Sequence, residues 1–161
     1  MRRNSRLLLL AAPLVAVPAY AQVPREDIVL DNWRISQAIP NVCQAITRVD
    51  DHLNVNIAIM KPTGRTVLFL ESDELPRANL EKRSGTISWD NWVTSQQVEF
   101  TLTKANGRGV LVAQLDPSFA TDLRDKKSFW AKVHDVSLDR EVALEDIDRA
   151  FAAVDICLKT L

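Results

Sequence analysis

The chain has 161 residues, of which 47% are hydrophobic and 25% charged, which is enough apolar chain for one well-packed domain. Its 20 basic and 21 acidic residues give a formal net charge of −1. Three of the basic residues and none of the acidic ones lie in the first 21 positions, so the rest of the chain has a net charge of −4. A negative domain without a basic patch argues against nucleic acid or an anionic membrane surface as a partner.

The first 21 residues have the three parts of a secretory signal peptide. Arginines within the first six residues give a positive start, residues 7–17 form an apolar run, and Ala19-Tyr20-Ala21 supplies the small residues before a cleavage site. The apolar run is shorter than the ~20 residues that a membrane span requires. The sequence therefore predicts a cleaved signal over 1–21 and a single exported domain over 22–161. That domain is expected in the periplasm or outside the cell, without a transmembrane segment.

After the signal, apolar alternation and turn-forming residues predict mostly strands. In chain order we expect a strand over 33–39, a strand over 42–49, a hairpin over 55–68, a polar loop over 71–82, a strand over 85–89, a second hairpin over 98–111, a short helix over 117–127 and a strand over 129–138. The short helix has Asp116 in the N-cap position and Pro117 at its first helical position.

The two predicted hairpins share the pattern V-x-φ-x-φ-x-K-x-x-G-R-x-V-L, where φ is apolar, over 55–68 and 98–111. The heptapeptide pattern D-N-W-x-x-S-Q also occurs twice, beginning at Asp31 and at Asp90. Hairpin rules explain the alternation and the turn glycine. They do not require the same Lys and Arg, so the sequence favours an internal duplication over two unrelated hairpins.

The last segment has a different periodicity. Apolar residues recur at helical spacing over 147–158, with charged residues on the other side, which predicts an amphipathic C-terminal helix. The fold class expected is mainly β: an antiparallel sheet or sandwich of six to eight strands, with an internally repeated hairpin and this one helix packed on it.

Two cysteines, Cys43 and Cys157, remain after the signal is removed. In an oxidising compartment, an even pair at opposite ends of a domain indicates one disulfide, and the alternative is two buried free thiols. The bridge would join the C-terminal helix to the strand over 42–49. Nothing resembles Cys-x-x-Cys, so a redox-active pair is not favoured.

The layout of a strand led by Trp33, the early Cys43, hairpins with glycine turns and an Ala-rich terminal helix resembles small exported proteins of alphaproteobacteria. These are proteins of the invasion-associated locus B type and their uncharacterised relatives. The similarity spans residues 33–161 and rests on layout. That family carries more cysteines and a Leu-Ser-Gly-like signature before its last helix, where this chain has Val136-Ser137-Leu138-Asp139. The resemblance implies a periplasmic or surface accessory role without an established chemistry.

Residues that carry catalysis are sparse. There is no G-x-S-x-G motif, and the histidines are His52 and His134, which a zinc site would have to join across 80 residues of chain. No metal, cofactor or catalytic residue is therefore predicted. Acidic residues cluster in the polar loop, at Glu71, Asp73 and Glu74, and could serve a hydrolase if the fold placed them in a cleft.

The four tryptophans are Trp33, Trp89, Trp92 and Trp130. Trp89 and Trp92, three residues apart, are the candidate binding residues because aromatic side chains are enriched at recognition surfaces. The sequence favours a core role over this binding role, and in the core role the tryptophans of the two D-N-W copies, Trp33 and Trp92, fill equivalent interior positions.

The sequence favours a noncatalytic periplasmic binding or accessory domain that recognises a protein or envelope component. One alternative is a small hydrolase of envelope polymers that uses carboxylates of the 71–81 loop. Another is an inhibitory or structural interaction domain.

Overall fold

A computed structural model describes residues 27–90 and 92–161 of the chain. The predicted signal peptide over 1–21 lies outside them. The described elements, in chain order, are β1 (Ile28–Val29), β2 (Arg34–Ile39), β3 (Val42–Arg48), β4 (Leu53–Met60), β5 (Thr66–Ser72), β6 (Glu81–Trp89), β7 (Thr94–Ala105), β8 (Arg108–Leu115), α1 (Ser118–Asp122), β9 (Ser128–Val133), a 3₁₀ helix (His134–Val136), β10 (Leu138–Ala143) and α2 (Ile147–Lys159).

The strands form one antiparallel sheet in the order β1-β2-β3-β4-β5-β8-β7-β6-β9-β10. Most neighbours are consecutive hairpins, and the order changes where β8 pairs with β5 and β9 pairs with β6. The expected mainly β class with a C-terminal helix is confirmed. The sheet has ten strands rather than six to eight.

The strand count was too low for two reasons. β1 has only two residues, which is too short to show a period of two. The expected single strand over 129–138 is wrong, because the 3₁₀ helix interrupts it and Ser137, with φ 55°, turns the chain into β10. β10 then pairs back on β9 from Leu138 opposite Val133 to Ala143 opposite Ser128.

The sheet curves around its own core. Ten strands about 4.8 Å apart would span roughly 43 Å if they lay flat, whereas the 13 residues of α2 make a helix only ~20 Å long. Yet inward-facing residues of β2 through β10 and of both helices belong to one buried apolar cluster. One helix cannot cover a flat sheet of that width, so the strands themselves must surround the core.

Strict alternation positions the strands around this core. In β3, Cys43, Ala45 and Thr47 are buried while the residues between them are partly exposed. In β9, Phe129 and Val133 are buried in the same manner. The period of two expected from the sequence therefore fixes which face of each strand points inward.

The first helix, α1, follows β8 and lies in the interior through Phe119, which contacts the rings of Trp89 at 5.9 Å and Phe129 at 6.2 Å between centroids. The predicted N-cap is wrong. Pro117 takes the cap position without a side-chain hydrogen bond, and Asp116 contributes its backbone carbonyl, which accepts from the Phe119 N–H at 3.0 Å.

The second helix, α2, packs against β2 and β3 with its predicted apolar face inward. The predicted disulfide between Cys43 and Cys157 is confirmed, with 6.1 Å between the Cα atoms. Cys43 is fully buried in β3, so the bridge connects the helix to the core side of the sheet. No helix among the described residues is both long enough and apolar enough to cross a membrane.

Both predicted hairpins form, as β4–β5 and β7–β8, but their turns differ. Asn106 and Gly107, with φ of 51° and 78°, make the two-residue turn of the second hairpin, which requires positive φ at both positions. The first hairpin closes at Ile59 opposite Thr66. In the sequence repeat, Ile59 aligns with Leu102 and Thr66 aligns with Gly109. If the two hairpins had the same register, Leu102 would therefore lie opposite Gly109, but it lies opposite Leu111.

Candidate functional site

The turn between β6 and β7 exposes a tryptophan at the surface. Trp89 lies opposite Thr94 in the ladder, and the Val93 N–H donates to the Asp90 carbonyl at 3.1 Å to close the turn. Asp90 and Trp92 have φ of 55° and 70°. Positive φ is uncommon for any residue with a side chain and a marked outlier for a bulky one, so the turn holds Trp92 at a cost in backbone energy.

Trp92 stacks on Trp130 of β9. The two ring centroids are 5.7 Å apart and the rings are inclined by 37°. Trp92 is 44% exposed, Val93 beside it is 84% exposed, and Trp130 is partly buried. These three residues, the tryptophan platform, form an apolar patch at one end of the sheet.

A buried hydroxyl lies on the same face as the platform. Trp130 is directly opposite Ser88 of β6, and cross-strand partners share a face of the sheet. Ser88 is fully buried, and its Oγ has no hydrogen-bond partner among the described residues. A buried hydroxyl without a partner costs free energy, so Ser88 lowers the stability of the fold at the position opposite Trp130.

Charged groups border the platform where the turn meets the segment after α1. The Lys126 ammonium lies 3.3 Å from the Asp90 carboxylate and 3.1 Å from that of Asp125. Hydrogen bonding to Asp125, and then to Asp90, raises the pKa of Lys126 above its usual 10.5. A polar cavity of about 410 Å³ adjoins them, lined by Trp89, Thr94, Thr121, Asp122, Asp125 and Lys126.

The structure separates the two candidate binding residues. Trp89 is 8% exposed and packs edge-on against Phe119 in the core, whereas Trp92 faces solvent. The expectation of equivalent core positions for the repeated tryptophans is correct for Trp33, which is 2% exposed, and wrong for Trp92. The Trp33 Nε1–H donates to the Glu145 carbonyl at 2.7 Å, so the first copy secures the segment before α2.

Trp130 is the platform residue that the sequence interpretation missed. Alternation provided a usable signal, because Phe129, Ala131 and Val133 face the core and the tryptophan between them must face outward. Its contact with Trp92, 38 residues away, depends on β9 pairing with β6, and that pairing is not a property of either segment alone.

Glu71 and Asp73 both lie near Arg108, whereas Glu74 faces a different arginine. Glu71 lies 3.4 Å from Arg108, and Glu74 lies 3.0 Å from Arg140. Asp73 lies 3.1 Å from His52 Nδ1 in a pair whose side chains are both about half exposed. The arrangement is a surface network of ion pairs at the ends of β5 and β8.

The turn before His52 contains a fixed carboxylate. Asp50 accepts hydrogen bonds from the backbone N–H of His52 at 2.7 Å and of Leu53 at 2.8 Å. Donation from His52, which outweighs the opposing effect of burial, holds the pKa of Asp50 below its usual 3.8. This carboxylate therefore stabilises the turn between β3 and β4. His134 is exposed in the 3₁₀ helix.

Among the described residues, no group of three or more His, Cys, Asp or Glu side chains is arranged to hold a metal ion. Comparison of the chain with family models, with curated proteins and with solved structures gives no match.

Proposed function

We propose that the chain is a noncatalytic binding domain of an exported protein, and that the tryptophan platform contacts its partner, a protein or an envelope component. The observation that carries the proposal is the stacked, solvent-facing pair of Trp92 and Trp130 on a strained turn. A strained turn that exposes a large aromatic ring costs stability, and contact with a partner can recover that cost.

The exposed ring of Trp92 can make a large single contribution to binding. An aromatic side chain buries 150–250 Å², so covering the exposed 44% of Trp92 removes roughly 100 Å² from water. At ~25 cal/mol per Å², that area is worth about 2.5 kcal/mol. This is the magnitude of an interface hot spot. The ion pairs of Lys126 would form the polar rim that such interfaces have.

Export is supported by the disulfide and by the N-terminal sequence. Structural disulfides persist in oxidising compartments, and the bridge between Cys43 and Cys157 belongs to the core of this fold. The signal-like residues 1–21 would direct the chain to such a compartment. We include in the proposal a kinship with proteins of the invasion-associated locus B type, and an origin of the two hairpins by duplication.

The hydrolase alternative has less support. Paired catalytic carboxylates need a shared cleft and different environments. Here Glu71 and Asp73 both face Arg108, Glu74 faces Arg140, and the pair of His52 and Asp73 is half exposed. None of these residues lines the cavity of about 610 Å³ that lies between β7 and β8. An inhibitory role would use the same surface as the binding proposal.

The test compares binding by the exported domain, residues 22–161, with binding by three variants. Biotinylated protein is incubated with periplasmic extract and with isolated envelope sacculi, and the retained material is quantified by titration. Trp92→Ala and Trp130→Ala should each weaken retention, the former by roughly 30- to 100-fold if about 2.5 kcal/mol is lost. Ile156→Ala, on the exposed side of α2 at 58% exposure, is the matched control and should bind like the wild type.

Two outcomes would contradict the proposal. Retention that is insensitive to both tryptophan substitutions would remove the platform from the interface. Recovery of the retained partner in cleaved form, with wild-type protein and not with buffer, would show turnover and overturn the noncatalytic assignment.

A further inference from the structure

The ladder between β7 and β8 covers only part of the length of the two strands. β7 pairs with β6 from Thr94 to Leu102, but with β8 only from Thr101 to Ala105. β8 pairs with β5 from Gly109 to Leu115, but with β7 only up to Val112. In the described part of the chain, the edges over 94–100 and 113–115 therefore have no ladder between them. We call this gap the β7–β8 fissure.

A cavity of about 610 Å³ lies at the fissure. On the β7 side it is lined by Gln96 and Val98, which belong to the inward-facing set, and by Gln97 and Glu99, which belong to the outward-facing set. Contact with both sets places the cavity beside the edge of β7 rather than over one face of the sheet. The remaining lining comes from Thr101 of β7, from β6 and β8, and from the end of β4, the start of β5 and Arg65 between them, and includes Gln114.

Both walls of the fissure carry unused hydrogen-bonding capacity. A strand directs its N–H and C=O groups alternately to its two sides, and those on the open side of β7 and β8 lack a strand partner here. The side-chain amides of Gln96, Gln97 and Gln114 add groups that both donate and accept. Such an edge is the template for strand addition.

The charges at the cavity leave one cation available. The Lys82 ammonium lies 2.7 Å from Glu99 Oε1, so these two groups neutralise each other across β6 and β7. The exposed Arg65 side chain makes no ion pair among the described residues and lines the same cavity. The fissure therefore has an excess of one positive charge at its β5 wall, which is complementary to a carboxylate.

We propose that the β7–β8 fissure binds an extended segment of a partner polypeptide, which adds as a strand to the open edge and places an acidic group against Arg65. The seven residues over 94–100 offer an edge of about 23 Å at ~3.3 Å per residue. Polypeptide fits this site better than a glycan because no lining residue is aromatic and so none offers a ring on which a sugar could stack. The site is separate from the tryptophan platform, and either can fail without the other.

The experiment selects phage-displayed random nonapeptides on the disulfide-intact domain of residues 22–161. Synthetic copies of the selected peptides are then titrated. They should carry Asp or Glu at a fixed position. Each peptide is also made in two N-methylated versions, which carry methyl groups on one or the other set of alternate backbone amides. At least one of these versions should bind tenfold or more weakly, because strand addition uses main-chain donors. Hydrogen exchange should slow at amides within 94–100 or 113–115 when peptide is bound.

Matched charge reversals locate the site. Arg65→Glu should weaken the selected peptides by about tenfold, while Lys104→Glu, the same change on an exposed residue of β7 outside the cavity lining, should leave affinity unchanged. Three results would overturn the inference: no enriched peptides, enriched peptides that tolerate both methylation patterns, or binding that is lost with Trp92→Ala and kept with Arg65→Glu. The last result would assign the peptides to the platform and would leave the proposed function intact.

Discussion

Removal of the disulfide between Cys43 and Cys157 should lower the free energy of unfolding. The loss should be most of the contribution that closing a long loop makes in the chain-entropy model. The two cysteines are 114 residues apart in sequence. Closing a loop of that length restricts the unfolded chain by about 4.8 kcal/mol in the loop-entropy model. Unfolded chains are more compact than random coils, so we expect a measured loss of about 3–5 kcal/mol. A domain of this size has a total stability of roughly 5–15 kcal/mol.

The folded state should survive this loss. α2 buries Ile147, Ala150, Phe151 and Val154 against the sheet without help from the bridge. The helix should therefore remain docked when the disulfide is reduced, and the change in stability should come mainly from the unfolded state. Far-UV circular dichroism of the folded protein should change little.

Urea unfolding of the oxidised domain, the domain reduced with a phosphine, and Cys43→Ala/Cys157→Ala measures the effect. The reduced protein is the control for the double variant, because replacing the buried Cys43 sulfur also removes packing in the core. Without the bridge the m-value should rise, since the unfolded chain can expose more surface. A loss below about 1 kcal/mol with an unchanged m-value would refute the entropic reasoning.

Two further predictions concern turns and close approaches in the sheet. Gly109→Ala should destabilise the fold by about 1–3 kcal/mol, since the new Cβ would lie 2.6 Å from the Leu75 Cβ and from the Leu75 carbonyl oxygen. Gly107 has open space around it and a φ of 78°, so Gly107→Ala should cost only about 1 kcal/mol. Urea midpoints in the reverse order would contradict the contact argument. Asp50→Asn should cost up to about 1 kcal/mol at pH 7, a small value because the carboxylate is exposed. Because the pKa of Asp50 is lowered in the folded state, this difference should be full above about pH 4 and disappear as the pH falls through the folded pKa. A difference that grows on acidification would show that another group is responsible.

Much of the fold could be predicted because it depends on local periodicity. The alternation in β3 and the helical spacing over 147–158 each identify an element and its buried face. The disulfide followed from the number of cysteines and the expected compartment. The break between β9 and β10 could not be seen, because a left-handed Ser137 and a single 3₁₀ turn leave the apolar alternation nearly intact.

The candidate site was only partly predictable. A tryptophan at 92 was visible as a candidate, but whether it lies in the core or at the surface depends on the turn that carries it. In the first D-N-W copy the chain enters β2 and Trp33 is covered by the segment before α2. In the second copy the same tripeptide lies in the connection from β6 to β7, so Trp92 faces solvent. The tryptophan of the same tripeptide is therefore buried in one copy and exposed in the other because its neighbours differ.

The sequence by itself determined the mainly β class, the faces of its strands, the terminal helix and the pairing of its two cysteines, since each depends on periodicity along the chain or on a simple count. Tertiary structure alone decided that β9 lies beside β6, which stacks Trp130 on Trp92. It also decided that the ladder between β7 and β8 is shorter than either strand. Both results arise from pairing between segments distant in sequence, where the energy comes from burying a shared core and no single segment specifies its neighbour.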